Sequence, residues 1–256
     1  MIHRRPLALG LAALAPLALG GCLGVETTPE KSAAKAKVAA RRLAATQRGV
    51  TIGKPNATVK VRSTAVVQDP NGVAAVVRIE NTGATAASVP VGVAVFNAKG
   101  KKLYANDLPG LDRSLTSLPV LAAGEQVYWV DNQILVTGQA AHVQAAVGEA
   151  RAKAPAGPPP RITLSKIAVG RDQDGVYAKG QVRNESAIAQ KRLTVACVAV
   201  DGGTVVAAGR AVVERLPPAA QSKKPTGFTV FFIGDPKRAK LECSAPPTVL
   251  SGGAAK

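Results

Sequence analysis

From about Ala57 onward the chain consists of short runs of Val, Ile and Thr, broken at regular intervals by Gly, Pro, Asn and Asp. That texture predicts an all-β architecture of sandwich or barrel type. Val59 opens one strand, Asp69-Pro-Asn-Gly72 reads as a turn, and Val73 to Asn81 reads as the next strand. The order then returns 103 residues later, with Ile162, Asp172-Gln-Asp-Gly175 and Val176 to Asn184 in the equivalent places. Later strands keep the order with small shifts: Val91, Val93 and Val95 match Leu193, Val195 and Cys197, and His142-Val-Gln-Ala145 matches Lys240-Leu-Glu-Cys243. A period of this length indicates a duplicated module, because solenoid repeats run ~20–50 residues. Between the copies lies Arg151-Ala-Lys-Ala-Pro-Ala-Gly-Pro-Pro-Pro160. A proline-rich stretch of this kind cannot sit in a central strand and acts as a semi-rigid spacer.

The pattern at the N-terminus is different. His3-Arg4-Arg5 precedes an apolar run of 14 residues, Pro6 to Leu19. A membrane-spanning helix needs ~18–20 such residues. A charged start, a short apolar run and small residues at a cut site describe a secretory signal. Leu19-Gly20-Gly21-Cys22 resembles a bacterial lipoprotein signal, and the resemblance implies that Cys22 is acylated and the chain cut before it. Two or more acyl chains are about the minimum for stable membrane attachment. The expected address is the extracytoplasmic face of the cell membrane. Behind Cys22, the segment Lys31 to Arg48 is rich in Ala, Lys and Arg, which are good helix formers. Its apolar residues are mostly Ala, so packing could do little to stabilise a helix. It reads as a flexible or partly helical tether, drawn to an anionic membrane by ~1 kcal/mol per basic residue. The expected layout is a signal at 1–21, a lipidated basic tether at 22–56, sandwiches at 57–150 and 161–249, a linker at 151–160 and a disordered tail at 250–256.

Charge and cysteine usage refine this layout. The net charge is +17, yet residues 57–150 are neutral, with 7 basic and 7 acidic side chains. Residues 161–249 hold 14 basic and 7 acidic side chains, and residues 22–56 hold 7 and 2. The basic residues of the second copy cluster as Lys191-Arg192, Lys223-Lys224 and Lys237-Arg238 with Lys240. Outside a membrane such clusters form either an anion-binding face or a solvated rim that keeps the protein soluble. With Cys22 lipidated, Cys197 and Cys243 remain, an even number in a compartment that permits disulfides. Period-two parity puts Cys197 on the face of Leu193 and Val195, and Cys243 on the face of Leu241. A bridge inside a sandwich is favoured by the compartment; two buried thiols acting as small hydrophobes are the alternative.

Residues that carry chemistry are scarce. His142 is the only histidine after His3, and its parity opposite Val143 places it on the solvent side of a strand. No nucleophile elbow, phosphate loop or dinucleotide fingerprint occurs, so no catalytic residues, cofactor or metal are expected. Asp172-Gln-Asp174-Gly175 faintly resembles a calcium loop but lacks the later ligands, and reads first as a hairpin turn like Asp69-Pro-Asn71-Gly72. Aromatic residues make up 3% of the chain, too few for extended stacking platforms. Export further argues against nucleic acid as a partner. Tyr128-Trp129 and Phe228, Phe231 and Phe232 fall in corresponding late strands. Adjacent strand residues face opposite ways, so one of each adjacent pair must lie outside or in a seam between the copies.

Asn81-Thr-Gly83, the stretch Phe96-Asn-Ala-Lys-Gly-Lys-Lys-Leu-Tyr104 and the step Leu121-Ala-Ala-Gly-Glu125 into an aromatic strand together resemble FxLYD-type immunoglobulin-like domains. The second copy departs from this, with Val200-Asp-Gly-Gly and Leu216-Pro-Pro-Ala-Ala-Gln221 at the equivalent places. The resemblance implies two tandem immunoglobulin-like β-sandwich domains and brings no catalytic residues. The expected role is that of a non-enzymatic binding or scaffold protein of the cell envelope, held by its lipid and engaging an anionic envelope polymer or a protein partner. The alternative is an accessory or solute-binding component that uses the seam between the domains.

Overall fold

A strand buried on one face alternates apolar and polar residues, whereas one buried on both faces reads as a continuous apolar run. Both kinds occur here. The computed structural model describes residues 49–154, 157–222 and 224–250, which belong to one compact unit. Cys22, the signal, most of the tether, Lys223 and the tail beyond Leu250 lie outside the described residues.

In the first half β1 (Val59–Asp69), β2 (Gly72–Asn81) and β6 (Gln126–Ile134) form one antiparallel sheet in the order β1-β2-β6. The other sheet is built on β3 (Ala86–Phe96), which pairs with β4 (Lys102–Ala105), β5 (Ser117–Leu121) and β7 (His142–Val147). In the second half β8 (Ile162–Asp172), β9 (Gly175–Asn184) and β12 (Thr226–Phe231) form a sheet in the order β12-β9-β8. Its partner has the order β13-β11-β10-β14, from β10 (Gln190–Asp201), β11 (Thr204–Leu216), β13 (Ile233–Gly234) and β14 (Lys240–Ser244). The expected all-β class is what the chain adopts.

The duplication extends to pairing and to polar detail. Val59 pairs with Asn81 and Ile162 with Asn184, while Asp69 pairs with Gly72 and Asp172 with Gly175. Each hairpin turns on an aspartate that accepts a backbone N–H two residues on: Asn71 to Asp69 at 2.7 Å, and Asp174 to Asp172 at 2.9 Å. Gly72 (φ 143°) and Gly175 (φ 133°) then take positive-φ conformations that a side chain would strain. Asn81 and Asn184 are fully buried. Asn81 Nδ2 donates to the carbonyls of Ala84, Leu121 and Ala122. Asn184 Nδ2 donates to those of Ile188 and Pro217.

Three apolar clusters result. Val77, Ile79, Val93, Val95 and Trp129 belong to the first, between the two sheets of the first half. Ala178, Val182, Val195, Cys197 and Val230 belong to the second, between the sheets of the second half. A third joins Val67, Ala74, Val76 and Val130 to Ala196, Val198, Ala208 and Ile233. It packs sheet β1-β2-β6 onto sheet β13-β11-β10-β14, so four sheets stack in sequence. Strands β2 and β10 are therefore buried on both faces, as the unbroken runs Val73-Ala-Ala-Val-Val77 and Val195-Ala-Cys-Val-Ala-Val200 require. Polar contacts tie the seam: Gly234 N–H donates to Asp69 Oδ2 (2.9 Å), and Arg210 to Ser114 Oγ (2.6 Å).

Three flanking segments are more attached than the strand pattern suggests. Residues 49–56, expected as the end of the tether, lie along the first half. Val50 is buried, Ile52 abuts Gly92, and the Asn56 side chain accepts the Val59 N–H at 2.9 Å. The start of the linker zips onto β3, with Arg151 N–H donating to the Ser88 carbonyl and Ala152 bridging Ala87. At the other end the fully buried Gln190 accepts the N–H groups of Thr248 (2.8 Å) and Val249 (3.0 Å). A buried amide must find partners for its donors and acceptor, and here the C-terminal segment supplies them.

Candidate functional site: a cleft in the seam

The two copies differ most between β4 and β5. Where the second copy runs on as the 13-residue strand β11, the first breaks off into an excursion over residues 106–116. The buried Asn106 fixes its base: its side chain accepts the Val93 N–H at 2.7 Å and donates to the carbonyls of Val91 and Leu115. Trp129 fixes its tip, donating from Nε1 to the Ser114 carbonyl at 3.1 Å. There Asp112 caps a single 3-10 turn, Arg113–Leu115, by accepting the Ser114 N–H at 2.8 Å. Asp112, Arg113 and Ser114 are thereby held against β10 and β11 of the second half.

A cavity of about 290 Å³ opens between the excursion and β10. Leu118, Pro119, Val130 and Ala196 supply much of its apolar surface, and Tyr128 and Trp129 also line it. Trp129 belongs to the first core while Tyr128 packs on the seam, the opposite facing that adjacent strand positions demand. Phe232 is buried in the second core, and Phe231 is 40% exposed. Arg113, Lys191 and Arg192 form the basic part of the lining.

Electrostatics across the seam are unevenly satisfied. Arg192 bonds Asp112 on one side and chelates both Glu214 oxygens at 3.1 and 3.2 Å on the other. Burial acts to raise the Asp112 pKa, yet the Ser114 hydroxyl and N–H and the Arg192 guanidinium hold it below the ordinary carboxylate value. Arg113 donates only to a neutral group, Ser88 Oγ at 2.9 Å. Among the described residues neither Arg113 nor Lys191 forms an ion pair. On the side of β6 that Trp129 occupies, the Tyr104 hydroxyl donates to Asp131 Oδ2 at 2.8 Å, and the Gln133 N–H donates to Oδ1 at 3.0 Å. Burial raises the Asp131 pKa against those bonds and the Arg210 charge, and raises the Tyr104 phenol as well. Burial lowers the Arg210 pKa, opposed by Asp131 and Asp112.

No family model, curated protein or solved structure matches this chain.

The residues singled out in the sequence fall as follows. Cys197 and Cys243 lie directly opposite each other on β10 and β14, Cα atoms 4.1 Å apart, bonded and facing the second core. The bridge thus joins neighbours in one sheet rather than crossing between sheets. The basic residues do not form one patch. Lys191 and Arg192 begin β10, whereas Lys240 pairs with Val200 near its other end, ~30 Å away at ~3.4 Å per residue. Lys237 and Arg238 lie in the turn before β14, exposed, and Lys240 pairs with Glu242 at 3.0 Å. Lys224 is exposed in the loop before β12, and Lys223 is outside the described residues. His142 is exposed on β7, its ring stacked on Phe96 with centroids 5.1 Å apart. Among the described residues no three His, Cys, Asp or Glu side chains group as metal ligands.

The excursion itself was not foreseen. A signal was present: Arg210 stands alone in Ala207-Ala-Gly-Arg-Ala-Val-Val213, and Asp131 closes Val127-Tyr-Trp-Val-Asp131. A charge inside an apolar strand run needs a buried partner.

Proposed function

We propose that this protein is a lipid-anchored, extracytoplasmic, non-enzymatic binding protein of the cell envelope, and that its ligand occupies the seam cleft. Cys22 carries the anchor, and the basic tether holds the body near the membrane. The halves act as duplicated modules of the FxLYD-type immunoglobulin-like kind, joined through the apolar seam cluster. The observation that carries the assignment to the cleft is the 290 Å³ cavity lined by Tyr128, Trp129 and, from the two halves, Arg113 and Lys191, which have no acidic partner among the described residues. Ligand sites favour such concave seams, apolar with a few convergent polar groups. The Cys197–Cys243 bond suits an oxidising compartment.

Two measurements test this. Mass spectrometry of the N-terminal peptide from cell membranes should find Cys22 as an acylated N-terminus; an intact signal in a cytosolic chain overturns the address. A photo-reactive amino acid at Ser117, in the cleft, should capture a cellular compound that the same probe at exposed Lys179 on β9 does not. Equal capture at both positions removes the cleft as the site. A scaffold role towards an anionic envelope polymer draws on the exposed Lys224, Lys237 and Arg238. It requires salt-sensitive binding that is lost when those three are neutralised and retained when the cleft is blocked.

A further inference from the structure

We infer that the seam cleft selects a small organic anion, an apolar or aromatic body ending in one carboxylate or phosphate group. This rests on the cleft being the ligand site and goes on to name what it holds.

The first ground is charge. Of the charged side chains lining the cavity, Asp112 is engaged by Ser114 and Arg192, and Arg192 is shared between Asp112 and Glu214. Arg192 against those two carboxylates leaves a net −1, which the +2 of Arg113 and Lys191 exceeds. Arg113 and Lys191 have no acidic partner among the described residues, and both line the same cavity. They come from opposite sides of the seam, Arg113 from the excursion and Lys191 from β10. A single anionic group in the cleft would meet a cation from each half, and hydrogen bonds to ionised groups are about twice as strong as neutral ones.

The second ground is the remaining surface. Leu118, Pro119, Val130 and Ala196 offer no hydrogen bonds through their side chains, and the Tyr128 ring lies beside them. An inorganic anion would leave that surface wet, whereas an apolar body would cover it and leave the lining hydroxyls of Ser117 and Thr194 for its polar end. The third ground is size. At ~30 Å³ per water, 290 Å³ holds about ten waters, which fits an organic anion of roughly ten non-hydrogen atoms.

Trp129 is the only tryptophan in the chain and lines the cavity, so its emission reports on occupancy without a label. Detergent-solubilised full-length protein is titrated with phenylacetate, phenyl phosphate, the uncharged phenylacetamide and the cationic benzylamine. The expected result is a saturable change in Trp129 emission with the anions, at least tenfold weaker with phenylacetamide and absent with benzylamine. The better of the two anions identifies the headgroup as carboxylate or phosphate. Lys191→Gln and Arg113→Gln should each weaken anion binding about tenfold and leave phenylacetamide unchanged, with thermal unfolding verifying that both variants fold. Equal binding of phenylacetate and phenylacetamide, anion binding insensitive to both substitutions, or no saturable response to either anion would each overturn the inference. Cross-linking at Ser117 reports separately on the cleft, so a captured neutral compound would reject the anion while sparing the site.

Discussion

Reduction of the Cys197–Cys243 bond isolates one stabilising contribution with little disturbance of packing. Cys197 is fully buried and Cys243 packs on the same core. A buried thiol behaves as a small hydrophobe, so the two reduced side chains leave neither a cavity nor an unpaired charge. What is lost is the constraint on the unfolded chain. The bond spans 46 residues, and loop closure of that length contributes about 4 kcal/mol. With a urea slope of ~2 kcal/mol/M, the unfolding midpoint should fall by ~2 M on reduction. Circular dichroism follows the whole fold and Trp129 emission follows the first half, while the bond lies in the second. Because the shared apolar cluster couples the halves, both probes should shift together. Alkylation followed by mass spectrometry must find no free thiol among Cys197 and Cys243 before reduction and two after it. A midpoint that moves by less than ~0.3 M with both thiols alkylated would refute the estimate, and two thiols before reduction would refute the bond.

Val198 is fully buried in the seam, and Val198→Asp should place an unpaired charge there at several kcal/mol, splitting one calorimetric transition into two as the halves separate; a single transition of unchanged midpoint would show that the seam contributes nothing. Asn184→Ala strips the carbonyls of Ile188 and Pro217 of a buried donor and should destabilise by about 2–4 kcal/mol, with Asn81→Ala close to it because the duplication gives both the same task. Urea unfolding of the two variants decides, and a loss under ~1 kcal/mol at either position would contradict those bonds. Burial holds the Asp131 pKa above its unfolded value, so its contribution to stability is full below that unfolded value, near 3.9, and is lost as pH rises through the folded one. Asp131→Asn keeps one acceptor, for the Gln133 N–H, and turns an amide donor towards the Tyr104 oxygen, which can accept it; the substitution removes the pH-dependent loss, so its stability relative to the unsubstituted protein should increase between pH 4 and 7. A difference independent of pH would mean that the carboxyl is not perturbed.

Much of the hairpin framework was legible because local chemistry dictates it. The aspartate turns at Asp69 and Asp172, each with a glycine at positive φ three residues on, mark both hairpins, and period-two parity puts Leu193, Val195 and Cys197 on one face. The seam was less legible, although its signature was present. Val73-Ala-Ala-Val-Val77 and Val195-Ala-Cys-Val-Ala-Val200 are too uniformly apolar for strands with a wet face, and their second buried face is the contact between the halves. A run of this kind says that something covers the far side without saying what. The layout of the basic clusters was illegible for a related reason, since sequence proximity of Lys191 to Arg192 and of Lys237 to Lys240 carries no information about which end of β10 each occupies.

The excursion over residues 106–116 shows why the site lies where duplication fails. Without the excursion the sheets would meet mainly through the apolar side chains of the seam cluster and the Gly234–Asp69 bond, which hold the halves together and offer no cleft. In the second copy β11 runs unbroken and supplies Arg210 and Glu214. In the first, the break between β4 and β5 leaves a segment that no ladder satisfies, so Asn106 and the Trp129 indole hold it instead. None of that segment belongs to either apolar core, and it is the part of the first copy that brings Asp112, Arg113 and Ser114 to the second. Cutting it to a tight two-residue turn, with β4 and β5 joined as β11 is, should therefore leave the fold and the seam cluster in place while abolishing ligand-dependent change in Trp129 emission. Retained binding in such a variant would move the site out of the cleft, and failure to fold would show that the excursion serves stability first.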